Sequence, residues 1–400
     1  MNEMIINEIA NDLGVSTKQV IVVLELLSEG NTIPFIARYR KEATGALDEE
    51  EIRKINEVYE YQVNLLKRKE DVIRLIDEKG LLTDELRDSI LKCSKLVEVE
   101  DLYRPYKEKK KTKATEAIAL GLEPLAKMIM SFPMNGTLED LASKFVKDDL
   151  SAEKCIEGSK YIIAEWISDN ASYRKWIRSY FYKNGIISST KKKGEDIDSA
   201  KTYEMYYSYQ EPVKYIKPHR ILALNRGENE KVLSVSIDID KEGVLSYLEK
   251  KLIKNDKSFV VDTVKEAILD SYKRLIEPSI EREIRSDLTE VGEEAAIDNF
   301  GKNLEALLLT PPMKERVVLA FDPGFVNGCK LAVVDKNGKY LDSTVIKPFL
   351  NGNTEERVRL SKEVVVQLIK RYNVSIIAIG NGTASRESEK FCADMIKEYN

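Results

Sequence analysis

VVLAFDPGFVNGCKLAVVDKNGKYLDSTVI (Val317–Ile346) decides how the last part of this chain folds. An apolar run ends abruptly on Asp322, Pro323-Gly324 breaks it, and two more β-type runs flank an Asp335-Lys336-Asn337-Gly338 turn. Such runs, separated by turn residues, predict strands over 317–322, 329–334 and 340–347. A helical period follows from about Glu355 to Tyr372, and then a further apolar run, VSIIAIG (Val374–Gly380). Hairpin-linked strands feeding a helical crossover into another strand describe an α/β domain that begins near residue 316, with Thr310-Pro311-Pro312 as its linker. Asp322, a lone carboxylate at a strand end before a glycine turn, is placed where metal- and phosphate-handling folds begin their sites.

Upstream of that domain the pattern is helical, as in Ile5, Ile9 and Leu13, or Val20, Val23, Leu24 and Leu27. Turn chemistry punctuates it at Gly30, Gly80, the lysine run near 110, Pro133-Met134-Asn135-Gly136 and Lys191–Glu195. One segment, KVLSVSIDID (Lys231–Asp240), alternates apolar and polar residues as a half-buried strand or a short edge ribbon does.

With 400 residues, 43% of them apolar and 33% charged, the chain exceeds one typical core and suits a helix-rich protein of two or three domains. It has neither a membrane-length apolar stretch nor a basic-then-apolar leader, so a cytoplasmic protein without membrane contact is expected. Cys93, Cys155, Cys329 and Cys392 are far apart and form no C-x-x-C pair, which points to buried thiols rather than zinc ligands or disulfides. The single histidine, His219, excludes multi-histidine metal sites. Catalysis would therefore fall to carboxylates, lysines or backbone donors. A net charge of -5 argues against indiscriminate coating by nucleic acid, yet local basic segments stand out.

The strongest of these is RPYKEKKKTK, in which Arg104, Lys107, Lys109, Lys110, Lys111 and Lys113 surround Tyr106. Four lysines within five residues can displace counterions from a phosphate backbone, although a solvated loop has the same composition. Lys191-Lys192-Lys193 is a shorter run. In NTIPFIARYRKEATGALDEEEI (Asn31–Ile52), Arg38, Arg40 and Lys41 flank Tyr39, a mixture suited to phosphate contact and base stacking; the bland alternative pairs them with Glu42, Asp48 and Glu49. IANDLGVSTKQVIVVLELL (Ile9–Leu27) has the small residue, turn glycine and β-branched residue of a helix-turn-helix, with Thr17 and Gln19 starting the second helix; a plain helical hairpin explains it more simply. Gly380-Asn381-Gly382-Thr383 before a helix near Ser385 offers backbone N–H groups to an anion, or simply turns the strand.

NTIPFIARYRKEATGALDE, DLYRPYKEKKKTKATEAIALGLEPLA, HRILALNRGE, PSIEREIR, LAFDPGFVNGCKLAVVD and IAIGNGTASRESE together resemble the Tex family of bacterial transcription accessory proteins, in the family's order and across almost the whole chain. The resemblance implies a multi-domain fold: a mainly α-helical amino-terminal region with helix-turn-helix-like elements (1–310), a linker (311–316), and an α/β, RNase H-like domain of YqgF type (317–400), incomplete at its carboxyl end. Helix-hairpin-helix and OB-type RNA-binding elements follow in such proteins, so this chain is expected to be the amino-terminal portion of a longer one. The implied function is binding of RNA and/or DNA as a non-enzymatic transcription accessory scaffold, with the transcription machinery or the ribosome as protein partner.

Asp322 matches the first acidic residue of RuvC- and RNase H-like nucleases, which align Mg²⁺ ions with several carboxylates. A second carboxylate is expected beside it near Gly380, where this sequence has Gly380-Asn381-Gly382. The nuclease is therefore the alternative, and Mg²⁺ is a cofactor only under it; otherwise no metal or cofactor is expected. A helix-turn-helix DNA-binding regulator is the further alternative. The DPG turn also resembles the phosphate loop of the actin, Hsp70 and sugar-kinase group, but a second acidic phosphate loop and an adenosine pocket are not visible.

Overall fold

The structure, a computed structural model, describes residues 3–147, 150–193, 198–311, 313–350 and 354–399. Gly194 and Glu195 at the end of the lysine turn and Pro312 of the expected linker lie outside them. The chain divides into two compact units, Met1–Asp298 and Asn299–Asn400.

The first unit begins with α1 (Glu3–Leu13), α2 (Thr17–Ser28), α3 (Ile33–Tyr39), α4 (Lys41–Thr44) and α5 (Glu49–Asp77). Ile9, Val20, Val23, Ile36, Ile52 and Ile55 are fully buried in their shared core, each contributing roughly 1.5–3 kcal/mol by leaving water. Local chemistry sets the helix ends. Asp48 and Glu51 form a reciprocal capping box at the start of α5, where Glu49, Glu50 and Glu51 also suit the helix dipole. The distal half of α5 then packs with α6 (Asp84–Leu91) and α7 (Leu96–Tyr103) around Val72, Ile76, Ile90 and Val99.

The largest core lies in the remainder of this unit: α8 (Lys113–Ala119), α9 (Glu123–Met130), α10 (Leu138–Ser143), α11 (Ala152–Ser168), α12 (Ala171–Asn184), β1 (Ile186–Lys191), β2 (Ser208–Pro212), α13 (Pro218–Asn229), β3 (Leu233–Asp238), α14 (Lys241–Leu252), α15 (Val261–Asp270) and the part of α16 (Glu277–Leu308) up to Asp298. A six-residue π segment, Ser271–Ile276, joins α15 to α16 and buries Tyr272 completely. Ile162, Ile163, Ala164 and Ile167 put α11 at the centre of this core.

The helical expectation needs one correction here. β1 lies between β2 and β3 in an antiparallel three-stranded sheet, so the alternating segment 231–240 is indeed a strand, and it has two partners that periodicity did not reveal. β1 (IISSTK) buries Ser188 and Ser189 rather than a simple apolar face; Ser188 donates to Asp238 and Ser189 to the Tyr206 carbonyl, both at 2.5 Å.

The second unit holds β4 (Val318–Asp322), β5 (Cys329–Val334), β6 (Tyr340–Ile346), α17 (Thr354–Tyr372), β7 (Ile376–Ile379) and α18 (Ser385–Tyr399). The strand order is β6-β5-β4-β7, with β7 parallel to β4 and the other pairs antiparallel. Leu319, Phe321, Leu331, Val333, Val365, Phe391 and Met395 form its core. Every strand and helix expected over 317–399 is present. Among the described residues no helix is long and apolar enough to cross a membrane.

Candidate nucleic-acid interface

The lysine run is a loop whose members separate into two kinds. Lys109 points inward. Its ammonium lies 3.2 Å from Glu165 Oε2 and also contacts Asp169, with the lysine side chain 23% exposed. Burial pushes the Asp169 carboxyl above its usual range, and the neighbouring Lys109 only partly offsets this. Lys113, at the start of α8, sits over the Tyr161 ring at 4.5 Å and donates to its hydroxyl at 3.1 Å. Lys111 meets Glu116 at 3.2 Å but is 82% exposed, so that pair is weak. Lys107 and Lys110 are exposed, and among the described residues their ammonium groups have no partner.

Arg104, counted with this run from the sequence, belongs elsewhere. It is drawn into a buried ion network in which its guanidinium donates to Ser279 Oγ at 3.2 Å. Asp101 on α7 accepts from Arg174 Nε at 2.7 Å and from Arg178 at 2.9 Å, and both arginines also contact Glu283 on α16. Burial, and then the like charge of Arg174, lower the Arg104 pKa. Nothing local in the sequence signals this network, because the bonds that join its helices link residues 73 to 175 apart.

Arg38, Arg40 and Lys41 are exposed around the short connection from α3 to α4. Tyr39 is 61% exposed, Phe35 and Tyr39 have ring centroids 5.2 Å apart, and the Arg40 guanidinium lies 5.1 Å over Phe35. Two of the three acids that the sequence offered as neutralising partners are occupied otherwise: Asp48 caps α5 and Glu49 pairs with Arg53 at 3.0 Å. Among the described residues no ion pair joins Arg38, Arg40 or Lys41 to a carboxylate.

In α1 and α2, a three-residue turn with Gly14 at φ +68° joins the helices. Thr17 and Lys18 are exposed, but Gln19 is spent internally. Its Oε1 accepts from the Ser16 backbone at 3.0 Å, and its Nε2 donates to the Thr44 carbonyl at 3.1 Å. Lys191 lies 4.6 Å over Tyr207 at the end of β1.

Asp322 ends β4 in an exposed position, and the Gly380 amide donates to the Phe321 carbonyl at 2.8 Å. A Cβ on Gly380 would lie 3.9 Å from Asp322 Oδ1. The fold thus brings positions 322 and 380 together, and residue identity alone withholds the second carboxylate. The donor set does not fit a Mg²⁺ pair: among the described residues no group of three or more His, Cys, Asp or Glu could hold a metal ion. Asn381, Gly382 and Thr383 are exposed in the turn before α18, and the Ser385 amide bonds back to the Gly382 carbonyl at 3.2 Å.

Three family models match the chain: a Tex-like protein N-terminal domain over residues 3–77, a Tex central region-like segment over 135–300 and a Tex protein YqgF-like domain over 316–400. The uncharacterized protein YdcI of Bacillus subtilis is 49% identical over 98% of this chain and 54% of its own length. The transcriptional accessory protein Tex of Neisseria gonorrhoeae is 34% identical over 97% of this chain and 51% of its own length. A human S1 RNA-binding domain-containing protein 1 is 33% identical over 94% of this chain and 39% of its own length. The chain spans about half the length of the bacterial relatives it matches.

Proposed function

The chain belongs to the Tex family, and on that premise we propose that it binds RNA or DNA through phosphate contacts, as a non-enzymatic transcription accessory scaffold in the cytoplasm. The observation that carries this is the state of its exposed cations. Lys107 and Lys110 on the lysine loop, and Arg38 at the end of α3 with Lys41 at the start of α4, present charge without a carboxylate partner among the described residues, although acids outnumber bases in the whole chain. Exposed Tyr39 beside Arg38 and Arg40 adds a ring able to stack on a base. Contacts of this kind position a phosphate backbone and read no sequence. Gln19, one of the two residues, with Thr17, that a base-reading helix would use, has its amide committed. The names of the gonococcal and human relatives, which speak of transcription and RNA binding, point in the same direction, with the transcription machinery as the protein partner.

A salt titration tests the proposal. Lys107, Lys110 and Lys111 all changed to Ala should weaken binding to duplexes of unrelated sequence to the same degree, and flatten the log K versus log salt slope by up to ~0.9 for each phosphate no longer neutralised. Unchanged affinity and slope in this variant would remove the lysine loop from the interface.

A further inference from the structure

α11 carries residues four apart that lie under the lysine loop. Tyr161 accepts from Lys113 at 3.1 Å and faces it at 4.5 Å; Glu165 lies 3.2 Å from both Lys109 Nζ and Thr112 Oγ1; Asp169, at the helix end, contacts Lys109. Four-residue spacing puts these three side chains on one stripe of the helix, and α11 is fixed by the apolar core on its opposite side. Glu157, one further step along, accepts from the Tyr161 hydroxyl at 2.5 Å and so continues the stripe. Thr112 caps α8 through a reciprocal bond with Thr115, so the same tether sets where that helix begins.

We infer that the Tyr161–Glu165–Asp169 stripe is a template that orders the lysine loop for phosphate contact, so that two carboxylates strengthen the binding of an anionic polymer. A free loop of this composition would lose conformational entropy for each cation it fixed on a backbone. Tethering Lys109, Thr112 and Lys113 removes much of that cost in advance and leaves Lys107, Lys110 and Lys111 projecting. Lys109 is accordingly a positioning residue rather than a phosphate ligand. This inference rests on the phosphate-binding reading of the loop.

The sign of one mutational effect separates a template from simple charge. Glu165→Gln with Asp169→Asn removes two negative charges and frees Lys109, so a purely electrostatic loop must bind more tightly and with a steeper salt slope. A templated loop binds a mixed-sequence single-stranded RNA about threefold to tenfold more weakly, with a slope lower by about 0.7 for each phosphate that the loop no longer engages. Trypsin should also cut the loop faster while the unfolding temperature stays near that of the parent. Tyr161→Leu, which alters no charge, supplies the same comparison if the double variant does not fold, and should also weaken binding. Unchanged or tighter binding in the stripe variants overturns the template. If the lysine-to-alanine variant itself binds like the parent, the phosphate reading has failed; if that variant loses affinity and the stripe variants do not, the template alone is wrong.

Discussion

Asp101→Asn tests the buried network that ties α7 to α12 and α16. Arg174 is fully buried and Asp101 is 7% exposed, so their 2.7 Å pair is largely screened from water. Three guanidinium groups (Arg104, Arg174, Arg178) face two carboxylates (Asp101, Glu283), and Arg174 Nη1 is buried without a partner. Asparagine keeps the volume and one acceptor for Arg174 Nε, but places an amide donor against Arg178 and leaves three positive charges facing one negative. Removing one member of a buried pair costs about 3–5 kcal/mol, mainly because the surviving charge stays desolvated. At about 2–4 °C per kcal/mol for a domain of this size, the first unit should melt roughly 6–20 °C lower. Circular dichroism melts read this directly, with Glu49→Gln on the exposed Glu49–Arg53 pair as the control, expected to cost less than about 1 kcal/mol. A melting temperature equal to the parent's in Asp101→Asn would refute the assignment of this network as a structural clamp.

Three further outcomes follow from the geometry. Asp322→Asn should leave nucleic-acid affinity unchanged, and Mg²⁺- or Mn²⁺-dependent cleavage that vanished with this substitution would restore the nuclease alternative. Gly45, at φ +67°, ends α4, and an added Cβ would lie 2.9 Å from Gln19 Nε2; Gly45→Ala should destabilise the amino-terminal bundle by about 1–3 kcal/mol in urea unfolding, and equal midpoints would show that the crowding relaxes freely. Glu283 and Glu228 are half-buried, which alone would raise them, but Arg174 and Arg178 for the first and Arg285 for the second hold both below the usual glutamate range. A depressed folded-state pKa means stability that is fully present above the ordinary value of about 4.3 and lost as pH falls through the lower, folded one. Unfolding midpoints should therefore fall below about pH 4, and the loss should shrink in Glu283→Gln.

The α/β unit was legible because its strands alternate or run apolar between glycine and proline turns, a signal contained within each segment. β3 was legible for the same reason. β1 was hidden because Ser188 and Ser189 satisfy their buried hydroxyls through Asp238 and the Tyr206 carbonyl, so burial there has no apolar mark, and β2 (SYQEP) because none of its residues is fully buried. The site was only half legible. Composition located the basic loop, but which lysines are spent depends on Glu165 and Asp169, more than fifty residues away in sequence. Arg104 was misplaced for the same reason, since Ser279 lies 175 residues downstream. The Tex resemblance supplied the family, and the adjacency of positions 322 and 380 follows from the parallel pairing of β4 with β7 that it implied.

Photo-cross-linking of a mixed-sequence single-stranded RNA to the chain, followed by peptide mapping, tests most directly where nucleic acid binds. Cross-links should concentrate in Ile33–Gly45 and Arg104–Ala119 and disappear together as salt is raised. Cross-links confined to Ile377–Phe391, or to the exposed first turn of α2, would contradict the proposed interface.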